Sequence, residues 1–82
     1  MEVLRTAIFQ LMHRREKEGF LAAEVVQQLF PEDWEVFLPE LYVTIIALHQ
    51  AGLVDLMIDR KSVIPTPENF KILKIHQPSK LI

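Results

Sequence analysis

The chain has 82 residues, 50% hydrophobic and 24% charged, with a net charge of −2 and no cysteine. Those figures describe one globular domain near the smallest size that a single core holds together. They exclude a disulfide framework, a thiolate metal site and a cysteine nucleophile.

The placement of charge says more than its sum. Residues 18 to 59 hold eight acids (Glu18, Glu24, Glu32, Asp33, Glu35, Glu40, Asp55 and Asp59) and no lysine or arginine. All nine Lys and Arg lie outside, four before that stretch and five after it. The opening residues, MEVLRTAIFQLMHRREK, put their bases after the apolar residues and do not read as a signal peptide. The longest uncharged run, Leu41 to Val54, is too short to span a bilayer. We therefore expect a cytoplasmic protein that does not enter a membrane, with one domain over residues 1–82 and a frayed tail from residue 76.

In chain order, Leu4, Ala7, Ile8, Leu11 and Met12 share one helix face, widened by Val3 and Phe9, and predict a helix from Glu2 to Lys17. Arg14, Arg15 and Lys17 suit its carboxyl end, and Gly19 follows it. Phe20-Leu21 reads as a very short strand. Ala23 to Phe30 predicts a second helix burying Val25, Val26 and Leu29; it lacks a Ser, Thr or Asp cap and stops at Pro31. Pro31-Glu32-Asp33-Trp34 is a turn that continues as a short helical piece through Phe37. A third helix runs from Pro39 to Ala51 and ends at Gly52. Leu53 to Ile58 alternates as a strand. Asp59 to Ser62 is a turn, Val63-Ile64 starts back, Pro65 to Asn69 is a loop, and Phe70 to Ile75 is a last strand. This is an α+β chain in the order α-β-α-α-β-β. The order is that of a winged helix-turn-helix, a three-helix core closed by a small antiparallel sheet. The wing is then either the Arg60-Lys61 turn or the Pro65 to Asn69 loop.

The stretch PEDWEVFLPELYVTIIALHQAGLVDL resembles a small bacterial winged-helix family of unknown function. That family has a Pro-Glu/Asp-x-Trp element, a Leu/Met-Pro pair and a helix ending in Leu-x-x-x-Gly. Pro31, Glu32, Trp34, Leu38, Pro39, Leu41, Leu48 and Gly52 carry the likeness, which extends from about Leu4 to Ile75. It implies a winged-helix fold and an association with nucleic acid, not an activity. Two positions depart from the pattern. Tyr42 stands where the family tends to have Arg, and Ile58-Asp59-Arg60-Lys61 replaces a Thr-Gln-Lys-Gly-like turn.

A winged helix reads DNA with its third helix, using Arg, Lys, Asn or Gln near that helix's amino end. On a wheel of roughly 100° per residue, Leu38, Leu41, Ile45 and Leu48 form the core stripe, flanked by Tyr42 and His49. The far side holds Val43, Ile46, Ala47 and Gln50, with Glu40 and Thr44 nearby. It is apolar, with one Gln at the wrong end. We therefore expect a non-enzymatic domain that contacts protein, a homodimer or docking module, through Tyr42, Val43, Ile46, Ala47 and Gln50. The bland alternative is that the wing, tail or second helix covers this face. The competing function is a nucleic-acid-binding or transcription-regulatory domain. It would use Arg60, Lys61, Lys71 and Lys74 of the wing with Arg14 and Arg15 of the first helix, mainly as phosphate contacts. Lysines on a solvated sheet edge that discourage aggregation explain the same residues.

Other features read as structural. Trp34 after its turn belongs to the core. His13, His49 and His76 have no metal-ligand spacing, and Glu32, Asp33 and Glu35 have no calcium-loop pattern. Ser62 and Ser79 lack the setting of a nucleophile, and no Gly-rich phosphate loop is present. We expect no cofactor and no catalysis.

Overall fold

The computed structural model describes residues 2–15 and 19–78. The elements are α1 (Glu2–Arg14), β1 (Phe20–Leu21), α2 (Ala22–Leu29), a 3-10 turn (Trp34–Phe37), α3 (Leu38–Gln50), β2 (Asp55–Ile58), β3 (Lys61–Ser62) and β4 (Lys74–His76). The described residues form an α+β fold, with three α-helices and a small antiparallel sheet of four strands in the order β1-β4-β2-β3. Among the described residues, no helix is long and apolar enough to cross a membrane.

The helices follow the apolar periodicity. Leu4, Ile8, Leu11 and Met12 of α1 are buried, as are Ala22, Val25 and Val26 of α2 and Leu38, Leu41, Ile45 and Leu48 of α3. Each of these side chains larger than alanine contributes about 1.5–3 kcal/mol when taken from water, before entropy is counted. Trp34 is half-buried against this core, and Phe30 stacks on Phe37 with ring centroids 3.9 Å apart. The expected end of the first helix at Lys17 lies outside the described residues. α2 and α3 each start and stop one residue earlier than the spacing predicts, within the ordinary uncertainty of helix ends.

Local chemistry fixes the helix ends. Glu24 accepts the Leu21 N–H at 3.1 Å, half of a capping box, while Leu21 has no side-chain oxygen to supply the other half. The same carboxylate accepts Arg15 Nη1 at 2.9 Å, joining the segment after α1 to the first turn of α2. At the end of α3, the N–H groups of Gly52 and Leu53 return to the carbonyls of His49 and Leu48 at 3.0 Å each, with Gly52 at φ 74°. That is a Schellman stop, and the left-handed residue it needs is a glycine.

The strands depart from expectation in three places. β2 begins at Asp55 rather than Leu53. The return strand is Lys61–Ser62, not Val63-Ile64, because Asp59 and Arg60 alone make the turn with φ of 51° and 67°. A two-residue turn of this kind matches the twist of the strands it joins. The last strand is Lys74–His76, not Phe70–Ile75. Residues 67–72 instead coil into a helical turn. In it Phe70 and Leu73 donate N–H bonds to Thr66 and Asn69 carbonyls at 3.0 and 3.2 Å. Thr66 Oγ1 accepts the Asn69 N–H at 3.2 Å, and Asn69 Oδ1 accepts the Thr66 N–H at 2.8 Å. The reciprocal pair caps the turn. The structured region also runs past residue 76, since Gln77 Nε2 donates to the Met12 carbonyl at 3.1 Å. Residues 79–82 lie outside the described part.

Register sorts the sheet into two faces. Phe20, Ile75 and Leu56 pair in a row across β1, β4 and β2, and all three are buried. The neighbouring row, Leu21, Lys74, Met57 and Ser62, points the other way because side chains alternate along a strand. His76 and Asp55 pair on that same outer face.

Candidate functional site

Two surfaces bring predicted residues together. The first is the outside of α3. Val43 is 62% exposed, Ala47 and Gln50 are exposed, and Ile46 is half-buried. Tyr42 is half-buried and turned to the side, where its ring meets Phe70 at 5.1 Å between centroids. It therefore forms a flank of the apolar face and not its middle. Thr44, expected near the exposed side, is 7% exposed, and its hydroxyl donates to the Glu40 carbonyl at 2.9 Å. This back-bond satisfies a hydroxyl that burial would otherwise strand.

One edge of the α3 face opens into a shallow groove of about 160 Å³ between α1 and α3. Val43, Thr44, Ala47 and Leu48 line it from α3, and Glu2 and Arg5 from α1. The Arg5 guanidinium also lies 5.7 Å from the centre of the Phe9 ring one turn on. Glu2 and Arg5 escaped the sequence reading because nothing in α1 alone says which of its polar residues will border α3.

The second surface concerns the bases, and the sheet divides them. Lys61 pairs with Ile58, a core-side residue, whereas Lys74 pairs with Met57 on the outer face. The two lysines therefore stand on opposite sides of the sheet. Lys71 lies in the 67–72 helical turn and not on a strand beside the β2–β3 hairpin. Arg15 is held by Glu24. Arg14 is exposed at a crevice between α1 and α2. Of the six candidate phosphate contacts, Arg60 and Lys74 share a cleft, on the outer face of the sheet at the hairpin turn. Met57, Asp59 and His76 complete its lining. Register would have revealed this grouping, but register depends on pairings between residues far apart in the chain.

His13, His49 and His76 fall on α1, α3 and β4. Among the described residues, no three His, Asp or Glu side chains come together to hold a metal ion. Buried side-chain nitrogen and oxygen atoms all have partners among the described residues, so no orphaned polar group marks a site. The chain matches no protein-family model, no curated protein and no solved structure, and its function is read from this geometry.

Proposed function

We propose that this chain is a winged-helix domain of the kind its Pro31-Glu32-x-Trp34, Leu38-Pro39 and Leu48-x-x-x-Gly52 pattern resembles. It acts without catalysis, by docking to protein through the outer face of α3. One observation carries the reading: the surface in the DNA-reading position is exposed and apolar, centred on Val43 and Ala47. Neither α2 nor α3 has a lysine or arginine to neutralise phosphate. An apolar helix face bordered by Glu2 and Arg5 of α1 suits a protein partner, and the simplest one is a second copy of the chain.

Light scattering after gel filtration tests this. The wild-type chain is expected to pass from monomer to dimer as concentration rises, and Val43→Lys to stay monomeric while keeping its fold. A wild-type chain that stays monomeric at the highest concentrations, with a mass unchanged by Val43→Lys, overturns self-association. Duplex DNA binding at low salt that is lost when Arg60 and Lys61 become alanine would replace this reading with nucleic-acid recognition through the wing.

A further inference from the structure

We propose that the cleft on the outer face of the sheet binds a small hydroxylated phosphate ester, a sugar phosphate in chemical class. The inference is independent of the docking surface on α3. The cleft has a volume of about 380 Å³ and is lined by Met57, Asp59, Arg60, Lys74 and His76. That volume lies within the roughly 300–1,000 Å³ typical of small-ligand sites.

Three observations converge on it. Among the described residues, no carboxylate is ion-paired to Arg60 or Lys74, and both cations line the cleft. Arg60 occupies the second position of the hairpin turn at φ 67°, where glycine is the ordinary residue. An arginine in a left-handed conformation is strained, and strain of this sort gathers where a side chain is needed for a ligand. The His76 ring is backed by Gly19, where an added Cβ would come within 2.6 Å of it. The absence of a side chain there lets the imidazole settle against backbone at the edge of the cleft.

Together these groups fit one ligand chemistry. The Arg60 guanidinium and the Lys74 ammonium take phosphate oxygens, the first as a planar fork and the second as a point charge. An imidazole N–H of His76 can donate to the same group. The Met57 side chain offers an apolar, polarizable surface to the organic part. Asp59 accepts a ligand hydroxyl.

The test is a titration of the full chain followed by amide chemical shifts, using glucose 6-phosphate, inorganic phosphate and duplex DNA at constant ionic strength. Glucose 6-phosphate should shift the amides of residues 57–60 and 74–76 saturably and bind more tightly than inorganic phosphate. Lys74→Gln should weaken it by about tenfold, the loss expected for one charge-assisted contact. Lys61→Gln, on the opposite face, should leave it unchanged. Arg60→Gly should weaken binding while raising the melting temperature, because it relieves the turn. No saturable shift beyond that of an equal concentration of chloride overturns the proposal. So does equal weakening by Lys61→Gln and Lys74→Gln, or an Arg60→Gly variant that binds normally. DNA that saturates these amides while glucose 6-phosphate does not reassigns the cleft to nucleic acid.

Discussion

The two glycines show how one residue type serves two positions at different cost. Both Gly19 and Gly52 have positive φ, at 72° and 74°. A Cβ on Gly52 meets nothing within 4 Å, so Gly52→Ala carries only the conformational penalty, about 1 kcal/mol. A Cβ on Gly19 also collides with the His76 ring. Overpacking of that kind adds about 1–3 kcal/mol. Urea denaturation of the two alanine variants should therefore place Gly19→Ala well below Gly52→Ala in stability. Equal losses would mean that the His76 ring moves aside freely. The sequence predicts a left-handed residue at each glycine, just after a helical pattern, and both have positive φ. It cannot show that one of them faces a histidine from the far end of the chain, because that contact exists only once β1 and β4 pair.

At the scale of elements, the helices were legible and the segment after the hairpin was not. Apolar residues repeated every three or four positions over long runs in α1 and α3, and Pro39 and Gly52 punctuated the latter. Residues 70–75 were short and had mixed alternation, which favoured a strand by default. Ahead of β4, Phe70 and Leu73 are buried and spaced three apart, while Ile72 is 61% exposed. A strand would have put Phe70 and Ile72 on one face. The signal was present as Thr66-Pro67-Glu68-Asn69, a cap with proline in the first helical position. Thr66→Ala should lower stability by about 1 kcal/mol in thermal unfolding, the typical cost of a lost helix cap. Asn69→Ala should cost more, since Asn69 also donates Nδ2 to the Ile64 carbonyl at 3.1 Å. Thr44 was misplaced for a related reason. A helical wheel separates faces by angle, but how far neighbours wrap round a helix depends on α1, whose approach the wheel does not contain.

At the scale of the molecule, the described bases that flank the acidic middle of the sequence do not gather into one phosphate-binding strip. They go to a hairpin turn, both faces of a sheet, a helical turn and an ion pair beside α2. The α3 face was legible because one helix determines it; the sheet cleft was not, because three pairings determine it. If α3 mediates a dimer, folding and association share one equilibrium, and stability depends on concentration. The melting temperature of the wild-type chain should then rise with protein concentration, while that of Val43→Lys stays flat. A flat wild-type series measured by calorimetry would count against the dimer.

The strand order has a consequence for how the chain acquires its shape. β4 follows β1, β2 and β3 in the sequence, yet it lies between β1 and β2. A nascent chain emerging from its amino end can form the helices and the β2–β3 hairpin early, but β1 has nothing to pair with until β4 arrives. The Phe20 and Ile75 pairing closes the longest loop in the sheet. Long-range closure of that sort slows folding. Until it happens, the inner faces of β1 and β2 stay open to water and to other chains. The keystone of the structure is thus its latest strand, and a chain stalled before it would present the very apolar residues that the finished protein hides.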